Sequence, residues 1–204
     1  MVAGGLHPST IARGALSKVE GQASGYTLIE LLFALGLIAV LSAIAVPQSL
    51  TAVDRVRAAS AARYLASRMA VARSQAVMRS AHVALRFEER RSGVAFRMYV
   101  DGNHNGVRTA DIAAGIDVPL EPAVRLSDLY PGTAIAVAGG AGSDPVRVGA
   151  SSLLSFTPLG TATPGSIFVR GRDGSQFAVR VLGATGRTRV ERFVPHSRRW
   201  IDGF

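Results

Sequence analysis

From Leu31 to Val46 the chain carries no charged residue. Counted from Leu28, the apolar run is 19 residues long and holds one carboxylate, Glu30. As a helix rising about 1.5 Å per residue, such a run comes close to the roughly 30 Å of a bilayer's hydrocarbon core. This limits the fold more than any other feature does, because so apolar a helix must be covered by lipid or by protein. A lone glutamate inside it costs about 2.5–3.5 kcal/mol on insertion scales, which marks Glu30 as a functional residue. The run is entered through Gly25-Tyr26-Thr27-Leu28-Ile29-Glu30, a glycine, an aromatic residue, and a carboxylate four positions beyond the aromatic.

This order of residues directly before a membrane-length run resembles the type IV prepilin signature. The resemblance implies a dedicated peptidase that cuts after Gly25 and methylates the new N-terminus at Tyr26. Residues 1–25 would then be a cytoplasmic leader, and Glu30 would be the fifth mature residue, where the family places its assembly carboxylate. An α-ammonium on one subunit can neutralise the Glu30 carboxylate of a neighbour, and in low dielectric the charges are tolerable only when they meet. Pro47 closes the run where pilins commonly carry a helix-bending proline. Tyr26 stands where the family usually has phenylalanine.

Two plainer readings compete. Ala43-Ile44-Ala45 has the small-x-small form of a secretory cleavage site, and the run could also be an uncleaved anchor. Both leave Glu30 without a purpose. Charge asymmetry does not decide the matter: Arg13 and Lys18 precede the span, whereas Arg55, Arg57 and Arg63 follow it, so the positive-inside tendency runs against the prepilin orientation.

With 204 residues, the chain has room for one membrane helix and one modest head domain. The absence of cysteine rules out disulfides and thiolate metal sites. Net charge is +9, and losing Arg13, Lys18 and Glu20 with the leader lowers it by one, to +8. Lys18 is the only lysine, so the remaining positive charge is all arginine, the better bidentate partner for phosphate and carboxylate. A GC-rich genome produces the same bias.

Beyond Pro47, apolar residues recur at three- and four-residue spacing: Leu50, Val53 and Val56, then Leu65, Met69, Ala72 and Ala76. This predicts a helix continuing to about Ser80, on the order of 80 Å from Leu28. From Ala81 the pattern turns to short strands: Val83–Phe87 and Val94–Val100 around Arg91-Ser92-Gly93, then Val124–Leu126, Thr133–Val137, Val146–Val148 and Leu153–Phe156. Ile167–Arg170 and Gln176–Leu182 flank Asp173-Gly174, a type I′ hairpin signal. Gly139-Gly140-Ala141-Gly142 and Thr163-Pro164-Gly165 read as loops. The expected fold class is α+β, a long N-terminal helix packed on a mostly antiparallel β head. Its segments are the leader 1–25, the membrane and assembly segment 26–47, the amphipathic half 48–80 and the head 81–204.

Within the prepilin class, Met98-Tyr99-Val100-Asp101-Gly102-Asn103-His104-Asn105-Gly106-Val107-Arg108 resembles the strand and loop of the GspH/FimT group of minor pseudopilins. Leu154-Ser155-Phe156-Thr157-Pro158-Leu159-Gly160, Ile167-Phe168-Val169 and Gly186-Arg187-Thr188-Arg189-Val190 are similar to that group's closing β segment. The resemblance implies a non-enzymatic structural subunit of a type II secretion pseudopilus or type IV pilus machine. It would sit as a single-pass protein of the bacterial inner membrane with its head in the periplasm. Its partners would be other pseudopilins or pilins of the fibre tip and the prepilin peptidase.

Two further sites follow from spacing. Asp101, Asn103 and Asn105 before Gly106 resemble the opening of a calcium loop, but Ile112 stands where the closing bidentate glutamate belongs. On a strand, Arg187 and Arg189 would project the same way as a two-pronged basic face, with Arg192, Arg198 and Arg199 following and Trp200 beside the last pair. FimT-type minor pilins resemble this and use such arginines to hold DNA for uptake, so these five are the candidate DNA contacts. A solvated edge strand explains them equally. For catalysis there is little: His7, His82, His104 and His196 lie apart, with no zinc-binding, nucleophile-elbow or phosphate-loop motif.

Overall fold

A computed structural model describes residues 25–137, 144–149 and 151–203, with the side chains of 46–49 left aside. The leader before Gly25 and the Gly139–Gly142 loop lie outside the described residues. The chain divides into two compact units, between Ala43 and Ile44.

Helix α1, Leu28–Arg79, begins as its sequence dictates. The Thr27 hydroxyl accepts a hydrogen bond from the Glu30 amide at 3.3 Å, and the Thr27 carbonyl opens the helical bonding. Thr27-Leu28-Ile29-Glu30 therefore has the spacing of a capping box, with an acid in the first turn where the helix dipole favours it. The helix passes through Pro47 and ends at Arg79. There Ser80 turns left-handed at φ 50°, while the amides of Ser80 and Ala81 bond back to the Val77 and Ala76 carbonyls, both at 3.3 Å. That is a Schellman stop with serine in the position glycine usually takes.

In the second unit, α1 buries Ala58, Ala61, Ala62, Leu65, Met69, Ala72 and Ala76 completely. The stripe is mostly alanine, so the β layer can approach the helix backbone closely. The continuation expected through Leu50, Val53 and Val56 does not hold, since all three are exposed. The head makes its burial only from Ala58 onward.

Two antiparallel sheets share this core. In one, β1 (Val83–Arg90) and β2 (Gly93–Val100) form a hairpin from Val83↔Val100 to Arg90↔Gly93. β7 (Leu153–Phe156) lies beyond β1, and β3 (Val118–Pro119) and β4 (Val124–Arg125) both pair with β2. The other runs β11 (Arg199–Asp202), β10 (Thr188–Val194), β9 (Gln176–Val181), β8 (Gly165–Gly171), β5 (Thr133–Ile135), with β6 (Val146–Val148) also on β8. Leu85, Phe87, Phe96, Met98, Leu154 and Phe156 of the first sheet and Ile167, Val169, Phe177, Val179 and Val181 of the second meet the helix in one apolar cluster. Two short helices, α2 (Thr109–Ala113) and α3 (Leu126–Leu129), fill connections. α1 is further tied to the β3–β4 connection by the Arg68–Glu121 ion pair.

The fold class is the α+β arrangement the sequence predicts, and the strands fall close to their expected places. Several details differ, among them the short strand β3 and the end of the Thr133–Val137 strand at Ile135. Val124–Leu126 stops as a strand at Arg125, because Leu126 begins α3. β11 adds a final edge strand that the pattern did not announce. The β8–β9 turn is not type I′: only Gly174 is left-handed, at φ 82°, while its amide bonds the Gly171 carbonyl at 3.0 Å and the Gly171 amide bonds the Ser175 carbonyl at 2.9 Å. This is a type I turn closed by a left-handed glycine, the three-residue hairpin pattern.

Candidate assembly segment and basic surfaces

Gly25, Tyr26 and Glu30 stand together at the start of α1, all exposed. Every side chain from Leu28 to Ala45 is exposed as well, including Leu31, Leu32, Phe33, Leu35, Leu37, Ile38, Val40, Leu41 and Ile44. Among the described residues, α1 alone is long and apolar enough to cross a membrane. Nothing among the described residues covers this surface, and an apolar surface of this size is costly in water, so lipid or a neighbouring molecule is the fitting cover. Thr27, the cap of this segment, was not among the expected site residues; its signal was the hydroxyl three positions before an acid.

Along 187–190 exposure alternates, with Arg187 and Arg189 exposed and Thr188 and Val190 half-buried. Arg187 precedes β10, in a turn closed by bonds from the Gly186 amide to the Leu182 carbonyl at 2.8 Å and from the Leu182 amide to the Arg187 carbonyl at 2.9 Å. It lines a groove of about 540 Å³ beside α1, with Arg73, Val77 and Met78. Arg189 lies within β10 opposite Arg180 and reaches Asp202 at 3.4 Å. Arg192 lines a different cleft of about 410 Å³ with Arg55, whose Nε is 3.7 Å from the Asp173 carboxylate. Arg198, left-handed at φ 52°, and Arg199 are exposed at the β10–β11 turn.

Gly186 has a structural task of its own. At φ 60° it is left-handed, and a Cβ there would stand 2.4 Å from the Gly160 carbonyl oxygen and 3.1 Å from Arg73 Cδ and Nε. The Arg73 guanidinium in turn donates to the Gly160 carbonyl at 3.1 Å. Two loops and the helix therefore meet at a point with no room for a side chain.

The Asp101 loop is closed by its own backbone. The Asp101 carboxylate, fully buried, accepts the Asn103 amide at 3.1 Å and the Gly106 amide at 2.7 Å, with His82 Nδ1 3.4 Å away. Asp117 accepts the amides of Gly102 at 3.1 Å and Arg108 at 2.9 Å, and Asn103 Oδ1 accepts the Asn105 amide at 3.3 Å. Burial works against ionisation of Asp101, but the N–H groups of Gly106, Asn103 and His104 and the nearby His82 outweigh it and hold the carboxyl below its ordinary range. Among the described residues no group of three or more acidic, histidine or cysteine side chains is placed to hold a metal ion. The Asp101, Asn103 and Asp117 side-chain oxygens thus accept backbone N–H groups.

An apolar helical segment opening on Gly-Tyr-Thr-Leu-Ile-Glu, together with a β head built on the second half of the same helix, defines a prepilin-type subunit. Residues 22–46 match the family model described as the prokaryotic N-terminal methylation motif. Residues 61–186, more than half of the chain, match that of type II transport protein GspH, and the chain belongs to this family. Among curated proteins and among solved structures, no match is found. The chain is thus a pseudopilin- or pilin-like subunit of a type II secretion or pilus machine, and membership implies processing by a prepilin peptidase and assembly with other pseudopilins. The GspH match ends at Gly186, so Arg187, Arg189, Arg192, Arg198 and Arg199 all lie beyond it.

Proposed function

We propose that this chain is a minor pseudopilin, cut between Gly25 and Tyr26, N-methylated on Tyr26 and held in the inner membrane with its head in the periplasm until it joins a short fibre near its tip. It works as a structural subunit without chemistry of its own. The observation that carries this reading is the uncovered apolar surface of α1 from Leu28 to Ala45 with Glu30 in its first turn. Lipid can cover the apolar side chains but leaves the carboxylate costly. A neighbouring subunit can cover both, because its Tyr26 ammonium supplies the counter-charge. The Glu30 charge thus favours the assembled state over the isolated one.

Intact-mass measurement of membrane-extracted protein should show a chain beginning at methylated Tyr26; a terminus at Val46 would point instead to signal-peptide cleavage. Glu30→Leu should leave insertion intact and prevent incorporation into the fibre. A Glu30→Leu protein that assembles and complements like wild type would refute the ion-pair account.

The geometry supports assembly over DNA capture as the main role. Arg187 and Arg192 line separate clefts, and Arg189 is engaged by Asp202. A DNA-receptor role predicts salt-dependent duplex binding by the full chain, weakened by Arg187→Ala and Arg189→Ala together.

A further inference from the structure

We propose that the outer face of the second sheet carries a binding cleft for a partner protein, one that takes a carboxylate side chain from an extended acidic segment between Arg147 and Arg180. The cleft, about 470 Å³, is formed by β6, β8, β9, β10 and β11 on the side away from α1. Its floor is aromatic. Trp200 of β11 lies against Phe168 of β8, ring centroids 5.6 Å apart, and against Phe193 of β10 at 5.2 Å. The register brings Ala178 between Phe168 and Glu191, so no bulky side chain separates the rings.

Two guanidiniums border this floor. Arg147 sits 4.9 Å over the Phe168 ring and Arg180 5.8 Å over Trp200. They are not equivalent. Arg180 is already engaged, with Nε donating to Glu191 at 2.6 Å and Nη1 to the Ser166 hydroxyl at 3.2 Å. Among the described residues Arg147 donates through Nε alone, to the Asp144 carbonyl at 3.3 Å. A guanidinium stacked on a ring keeps its in-plane N–H groups directed past the ring edge, where they can form a bidentate pair. Among the described residues no carboxylate pairs with Arg147: Asp144 Oδ1 accepts the Val146 amide at 2.8 Å, Glu191 is held by Arg180, and Asp202 pairs with Arg189. The cleft is therefore a positive site with an apolar floor and one guanidinium that lacks a carboxylate.

The same details set the class of partner. A single-stranded nucleic acid would need an aromatic face open for a base to stack on, but Trp200 is already approached by two rings and a guanidinium. A glutamate or aspartate beside an apolar residue matches both the Arg147 donors and the aromatic floor, and a subunit left at +8 once Arg13, Lys18 and Glu20 go with the leader favours acidic partners.

Trp200 is the only tryptophan of the chain, so its emission reports the cleft directly. The full chain in detergent is titrated with an unlabelled peptide alternating glutamate and valine, with its glutamine counterpart, and with oligothymidylate. The acidic peptide should shift Trp200 emission saturably and the glutamine peptide should not. Arg147→Gln should weaken binding about tenfold, the factor expected for one charge-assisted contact. Arg147→Lys should recover part of it, while Arg170→Gln, on the same sheet face but outside the cleft, should change nothing. Equal affinity of the Arg147→Gln protein, an emission shift produced better by oligothymidylate, or no acidic-peptide response from Trp200 would each overturn the assignment.

Discussion

Replacing Gly186 with alanine adds one carbon where two loops and the helix already touch. Its cost can be built up from three parts. A non-glycine residue held left-handed costs roughly 1 kcal/mol. The new Cβ would overlap the Gly160 carbonyl oxygen at 2.4 Å, which is backbone and cannot swing away. Relief requires the 182–187 turn to shift, straining the Gly186-to-Leu182 bond and the Leu182-to-Arg187 bond, each worth about 1 kcal/mol net. The total is about 2–4 kcal/mol. Urea unfolding of the detergent-solubilised chain, followed by Trp200 emission, should show the midpoint falling by about 1–2 M at a slope of about 2 kcal/mol/M. Gly186→Asn tolerates the left-handed backbone but not the overlap, so it should recover only part of the loss. Arg187→Ala and Arg189→Ala, both exposed, should each stay within about 0.5 kcal/mol of wild type. A Gly186→Ala midpoint within about 0.3 M of wild type would refute the reasoning and return the glycine to the same solvated category as its arginines.

Leu65→Ala, at a fully buried position of α1, should cost about 2–5 kcal/mol of head stability, whereas Leu50→Ala, exposed on the same helix, should change the urea midpoint little. Equal effects would mean that the apolar stripe extends as far as the sequence pattern suggests. The Asp101 carboxyl is held below its ordinary range on folding. It therefore adds stability above its unfolded pKa and loses it as pH falls through the lower folded value. The midpoint should drop as pH falls below about 4, and Asp101→Asn should flatten that acid limb while lowering stability at pH 7; an unchanged acid limb would remove Asp101 as its source. Glu30→Leu should separate insertion from assembly, read by membrane fractionation beside fibre incorporation.

The sequence alone determined the features that depend on neighbours along the chain. The apolar run, its glutamate and the hydroxyl-x-x-acid cap at Thr27 are one-dimensional patterns, and the helix that follows them starts at Leu28 as expected. Leu65, Met69, Ala72 and Ala76 were legible because helical period brings them to one face. The β1–β2 and β8–β9 hairpins were legible because turn residues stand between alternating runs. Tertiary structure decided where those patterns stop being obeyed. Leu50, Val53 and Val56 keep a three-residue spacing among themselves, yet all three are exposed, and Val56, nine residues before Leu65, lies on the side of the helix opposite the buried stripe. Arg187 and Arg192 belong to one closing segment, yet they line different clefts, one with Arg73 and one with Arg55. The Phe168, Phe193 and Trp200 cluster joins residues from three strands, and only pairing across β8, β9, β10 and β11 brings them within ring contact. Local chemistry sets each turn and helix end, whereas the register of strands distant in sequence sets which side chains share a face.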